Sequence, residues 1–193
     1  MMEFISKRNR VFLKDNDVHK ILPDEAAARD EEKFLLMLRK KGVSVPTVLR
    51  CTGRELTLEY LKGTNLVDLL CGCCETDWEQ VAAGVIDWLA NFYRAVNHEI
   101  TGEIRGDVNC RNFIFLNSRI YGVDFEERCF GMREKDAGRL LAFARTYNAP
   151  RVNKDAFTKF LEYGFHKKLE LDMKVVAAEF KKELREMEHR RGQ

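Results

Sequence analysis

The sequence predicts an α+β chain, with a small β-rich N-terminal lobe over residues 1–61 and a reduced helical lobe over residues 62–193, together one domain spanning 1–193. Two observations predict it. Short apolar runs separated by turn residues, with one helical stretch among them, fill roughly the first 60 positions. After Lys62-Gly63-Thr64-Asn65 the apolar residues recur at helical spacing instead. A chain of 193 residues can bury a substantial core in one compact domain or two small lobes.

Val11-Phe12-Leu13 and Val18-His19-Lys20-Ile21-Leu22 read as two strands joined by the polar turn Lys14-Asp15-Asn16-Asp17, which places Lys20 inside a strand. Pro23-Asp24-Glu25 opens a helix running towards Lys41. On it Glu31, Phe34, Leu35 and Leu38 share one face, and Gly42 ends it. Residues 46–49 and 55–61 read as further strands, with Cys51-Thr52-Gly53-Arg54 as the turn. Thr76-Asp77-Trp78-Glu79 has the Thr-x-x-Glu form of a capping box. It precedes a stripe of Trp78, Val81, Ala82, Val85, Leu89, Phe92 and Val96 that predicts a buried helix. Short β segments at 113–116 and 120–123 flank the turn Asn117-Ser118-Arg119. Residues 136–147 and those from 155 onward are helical, with Asn148-Ala149-Pro150 between them.

Charge and composition exclude several classes of function. Thirty-three basic and 31 acidic residues leave a net charge of +2, too little for a long-range field towards nucleic acid or an anionic membrane. The mixed charges of 181–191 fit a solvated helix face. No apolar run reaches the length of a membrane span, and Met1-Met2-Glu3-Phe4 lacks the order of a secretory signal, so a cytoplasmic location is expected. Of the six cysteines only Cys71-Gly72-Cys73-Cys74 cluster. Without a second ligand pair or a nearby histidine they read as reduced surface thiols, metal binding being the alternative.

The chemistry concentrates in Arg105-Gly106-Asp107-Val108-Asn109-Cys110-Arg111-Asn112, followed after one hairpin by Val123-Asp124-Phe125-Glu126. Phosphoryl transfer needs a group to orient or deprotonate the acceptor hydroxyl and oxygen ligands for Mg²⁺, because positioning and charge neutralisation supply most of the catalysis. Asp107, Asn112 and Asp124 are candidates for those tasks. An Asp-x-x-x-x-Asn pair alone is common in turns, where both residues bond their own backbone. Its order after a strand lysine and a helix glutamate, and before a strand-end Asp-Phe, is more specific. Glu31 is preferred to Glu32 because it lies on the inward face, where a carboxylate needs a cation, and Lys20 is the natural one.

With those residues in place, 11–143 resemble the protein-kinase-like superfamily, especially its small atypical branches, the RIO kinases and aminoglycoside phosphotransferases. The resemblance implies a two-lobed kinase-like fold. It implies that Lys20 holds the nucleotide phosphates, Glu31 positions Lys20, Asp107 is the catalytic carboxylate, and Asn112 and Asp124 hold the metal. Glu59-Tyr60-Leu61-Lys62-Gly63 matches the connecting segment, so the main chain of Glu59 and Leu61 would meet adenine, although Tyr60 and Leu61 also fit strand core. Arg105 replaces the usual histidine, and Phe125 would pack between the lobes. Asp136 would brace the catalytic loop from below, act as a helix N-cap, or both. Arg111 either reaches a phosphate or caps a local turn.

Two features depart from the family. Phe4-Ile5-Ser6-Lys7-Arg8-Asn9-Arg10-Val11 has no Gly-rich loop, so Ser6, Lys7 and Arg8 would have to contact phosphates in its place, or nucleotide binding is weak. Glu126 stands where many relatives have glycine, and about twelve residues separate Asp124 from Asp136, which leaves no room for a long phosphorylated activation segment. The expected function is an ATP-dependent kinase using Mg²⁺, with Mn²⁺ as the alternative ion. Its unknown hydroxyl acceptor is a protein Ser/Thr side chain, slightly favoured by the short C-terminal region, or a small molecule. The competing reading is a nucleotide-binding pseudokinase or regulatory module without turnover.

Overall fold

In the computed structural model, which describes residues 2–4, 9–72, 76–126 and 128–191, the chain divides into two compact units, residues 1–62 and 63–193. The predicted phosphate contacts Ser6, Lys7 and Arg8, and Cys73 and Cys74 of the cysteine cluster, lie outside the described residues.

The first unit is an antiparallel sheet of β1 (Met2–Phe4), β2 (Arg10–Lys14), β3 (Asp17–Ile21), β4 (Val48–Thr52) and β5 (Glu55–Glu59), in the order β1-β2-β3-β5-β4, with helix α1 (Glu25–Lys40). Asp15 and Asn16 form the β2–β3 turn with φ of 52° and 68°, a conformation that Asp and Asn tolerate better than other side chains. Lys20 stands opposite Val11 and Leu56 in the central strand. The Asp24 carboxylate caps α1 by accepting from the Ala27 N–H at 2.8 Å. Phe34, Leu35 and Leu38 are buried on its inner face, and Glu31 lies with them. The expected four-residue turn at 51–54 is tighter: Cys51 and Thr52 belong to β4, and a two-residue turn follows.

The second unit opens with β6 (Thr64–Asn65) and a short helix α2 (Leu66–Cys71), then α3 (Trp78–Ala95), α4 (His98–Thr101) and β7 (Glu103–Ile104). A 3₁₀ turn at Cys110–Asn112 leads into the hairpin of β8 (Phe113–Leu116) and β9 (Arg119–Gly122). Strand β10 (Cys129–Phe130) pairs with β7, and helices α5 (Arg133–Thr146), α6 (Arg151–Lys167) and α7 (Met173–Arg191) complete the chain.

Helix α3 is the buried helix of the apolar stripe, with Val81, Ala82, Val85, Leu89 and Phe92 almost wholly inaccessible. Its cap is Asp77, which accepts from the Gln80 N–H at 2.9 Å, and not the Thr76 of the expected capping box. Trp88 gathers Phe92, Phe113 and Phe125 around its ring. Gly122, at the end of β9, lies so close to it that a Cβ there would overlap the indole. Gly138 likewise lets α5 approach the backbone of α7 at Phe180, where a Cβ would come within 2.6 Å of the Phe180 nitrogen.

Candidate active site

In the first unit, Lys20 Nζ donates to Glu31 Oε1 at 2.9 Å, with the two residues only 4% and 6% exposed. Strand β3 supplies the lysine and the inner face of α1 the glutamate. The neighbouring Glu32 turns to Arg29 on the outer face, at 3.0 Å. A buried ion pair returns little net stability against the cost of dehydrating both charges. Its use here is to hold an ammonium group in one place.

Glu59 ends β5 with its carboxylate accepting from the Thr47 N–H and hydroxyl at 3.1 and 2.5 Å, and its own N–H donates to the Thr47 carbonyl at 2.9 Å. The Leu61 side chain is buried core. Glu59 Oε2 is thus engaged and the Leu61 side chain is inaccessible, so a ligand would meet these two residues chiefly through their main-chain groups.

In the second unit the loop around Asp107 is held from three directions. The first is α5. Asp136, with no exposed surface, accepts from the Arg105 and Gly106 N–H groups at 2.8 and 2.9 Å, and from the Tyr93 hydroxyl at 3.0 Å. Burial raises its carboxyl above the ordinary value, opposed by the two N–H groups and the phenol; the same burial and the adjacent carboxylate raise Tyr93 well above its own. Because α5 starts three residues earlier than expected, Asp136 is not its N-cap; Met132 holds that position without a side-chain bond. Of the two expected roles, the brace is the observed one.

The second direction is the loop itself. Asn112 Nδ2 donates to both the Asp107 carbonyl and Asp107 Oδ2, at 3.0 Å each, while Asn109 Nδ2 donates to Asp107 Oδ1 at 3.1 Å. Both carboxylate oxygens thus carry an amide donor. Asn109 also accepts from the Arg111 N–H at 2.8 Å, so Asn109 caps the 3₁₀ turn and the Arg111 side chain stays exposed. The Arg111 carbonyl is held by Asn65 Nδ2 at 2.6 Å.

The third direction is the strand end after β9. Val123 N–H donates to the Asn112 carbonyl at 3.0 Å, which brings the backbone before Asp124 against the loop that carries Asp107. Arg105, 1% exposed, donates to the Val123 carbonyl at 2.7 Å and to the Asp124 carbonyl, and its guanidinium lies 4.4 Å from the Phe125 ring centre. Asp124 itself is left-handed, with φ of 62°, and its side chain is exposed. Arg105 is thus a buried cation that clamps the Val123 and Asp124 carbonyls, a role that its place before Gly-Asp in the sequence could not signal.

No group of three His, Cys, Asp or Glu side chains gathers to bind a metal among the described residues. A Mg²⁺ ion does not need one, since it keeps water ligands and takes one or two carboxylates plus substrate phosphates. Asn112 has its Nδ2 committed to Asp107, which leaves Oδ1 as the atom that could meet a cation. With the Asp124 carboxylate this makes an all-oxygen donor pair suited to a hard cation.

The sheet with its buried Lys–Glu pair, and the helical unit with its braced Asp–Asn loop and following Asp-Phe, have the protein-kinase-like fold. Three solved structures share it. WaaP in complex with acyl carrier protein matches at TM-score 0.60 and 14% identity, over 94% of this chain and 87% of that one. The streptomycin–ATP–APH(2")-IIa ternary complex matches at 0.58 and 16%, over 94% and 80%. Amicoumacin kinase hAmiN in complex with AMP-PNP, Ca²⁺ and Ami matches at 0.55 and 15%, over 89% and 73%. No protein-family model and no curated protein matches the sequence.

Proposed function

We propose that the chain is an ATP- and Mg²⁺-dependent phosphotransferase that moves the γ-phosphoryl group to an alcohol. The observation that carries this reading is the Asp107–Asn112 pair, a carboxylate and an amide locked together on a loop that Asp136 braces. Asp107 orients the acceptor hydroxyl and takes its proton. Lys20, oriented by Glu31, holds nucleotide phosphates, and main-chain groups of Glu59 and Leu61 hold adenine. Asn112 Oδ1 and the Asp124 carboxylate hold the metal, with Mn²⁺ as the alternative ion. The bound cation supplies charge neutralisation on the phosphate oxygens.

The similar structures include complexes with ATP and streptomycin, and an amicoumacin kinase complex with AMP-PNP and Ca²⁺. They favour a small-molecule acceptor over a protein Ser/Thr side chain. The missing Gly-rich loop favours a second reading, nucleotide binding without turnover.

Incubation with γ-labelled ATP and Mg²⁺, against small-molecule alcohols and Ser/Thr-containing proteins, decides between them. Phosphoryl transfer or ATP hydrolysis that Asp107→Asn abolishes supports the enzyme. Saturable ATP binding with no transfer or hydrolysis supports the second reading and sinks the first.

A further inference from the structure

Helix α5 grips the catalytic loop twice. One turn after Asp136, Arg139 Nη1 donates to the Gly106 carbonyl at 2.6 Å. Asp136 holds the N–H groups of residues 105 and 106 and Arg139 holds the carbonyl leading to Asp107, so the peptides on both sides of Gly106 are fixed. Gly106 has φ of 77°, and the Asp107 N–H folds back to the Arg105 carbonyl at 3.0 Å. This tight reversal has no helix or ladder of its own to keep it in shape, so the backbone that carries Asp107 depends on these outside contacts, while Asn109 and Asn112 hold its carboxylate.

Arg139 has its own holder on a different element. Its Nε lies 3.5 Å from Glu183 Oε2 on α7, an ion pair without a hydrogen bond, and the other oxygen of Glu183, which is 8% exposed, accepts from Arg190 Nη2 at 2.7 Å. A long arginine side chain otherwise samples many rotamers, and fixing it by a second charge removes that freedom before it meets the carbonyl. The close approach of α5 and α7 at Gly138 places the Arg139 backbone within reach of α7.

We propose that Arg139 is a positioning residue for Asp107 and that Glu183, alone among the residues of α7, is a second positioning residue that orients Arg139. Glu183 acts through Arg139, Arg139 through the Gly106 carbonyl, and the carbonyl through the backbone that carries Asp107. The kinetic consequence rests on the proposed phosphotransfer; the mechanical one does not.

The test compares Glu183→Gln, Arg139→Met, Arg139→Lys and Met187→Ala in the full chain, by amide hydrogen exchange and by kinetics. Met187 is a buried α7 residue outside the relay, so its truncation reports loss of helix packing alone. Glu183→Gln and Arg139→Met should speed exchange across 105–112 by about tenfold and lower kcat by about tenfold with the KM for ATP unchanged. Arg139→Lys, which keeps a donor for the carbonyl, should recover part of both. Met187→Ala should lower the melting temperature and leave exchange at 105–112 and kcat as in the unaltered chain. Exchange at 105–112 that is unchanged in Glu183→Gln, or equally raised in Met187→Ala, overturns the relay. If the unaltered chain transfers no phosphate, the functional reading fails, and the exchange comparison still decides this one.

Discussion

Asn112 Nδ2 is 3.0 Å from the Asp107 carbonyl oxygen and 3.0 Å from Asp107 Oδ2, so one amide fixes both the backbone and the side chain of the candidate base. Asp107→Asn removes the proton acceptor and should lower kcat by about 10²–10⁴-fold. Asn112→Asp sets a second carboxylate against Oδ2. The variant loses the amide donor and gains a like charge, and should lower kcat by about tenfold, which steady-state rates would detect. An unchanged kcat would show that the Asn112 amide does not position Asp107.

Lys20→Met takes away the cation that faces buried Glu31, and should cost about 3 kcal/mol in chemical denaturation while raising the KM for ATP. The double variant Lys20→Met/Glu31→Leu replaces the pair with apolar side chains. It should recover most of that stability and none of the activity. Recovery of both would remove Lys20 from nucleotide binding.

The proposed use of a metal has a direct readout in heat stability. ATP with Mg²⁺ should raise the melting temperature above that reached with ATP alone, because a ligand that binds only the folded chain stabilises it by mass action. Asp124→Ala should erase the Mg²⁺-dependent part and leave a smaller ATP-dependent shift. A full Mg²⁺ response in that variant would place the metal elsewhere.

Asp136 gives stability a definite pH dependence. Burial raises its folded-state pKa above the ordinary 3.8. Between the unfolded and folded values the folded chain therefore binds the extra proton, and stability falls as pH rises from 3.8 through the folded pKa, then levels off. Asp136→Asn cannot titrate there. The stability of the unaltered chain relative to this variant should be greatest below 3.8 and decline through the same window, as denaturation at matched pH values would measure. A difference that is flat with pH would show that the carboxyl is not raised.

Local pattern carried most of the elements. The polar turn at 14–17, where Asp15 and Asn16 take positive φ, and the stripe along α3, whose face is buried, both follow from the residues alone. The preference for Glu31 over Glu32 was legible for the same reason, since only one of two adjacent helix positions faces the sheet. The Thr76 cap was not, because Asp77 offers an equivalent oxygen one residue closer to the helix and local chemistry does not rank them. The roles of Arg105, Arg139 and Glu183 were out of reach for a different reason. Each depends on a carbonyl or a side chain far along the chain, at positions 123 and 124, at 106, and at 139 respectively, and the sequence around each residue holds no trace of that partner.

The contact between Gly122 and Trp88 places an indole, itself only 3% exposed, under the last residue of β9, two positions before Asp124. The chain has two tryptophans, and the other, Trp78, stands ten residues away on the same helix, against Phe157. The molecule therefore carries a built-in optical probe at the strand end where the proposed metal ligand begins. With Trp78 replaced by Phe, the emission of a single ring would follow cation and nucleotide binding in real time, without a dye.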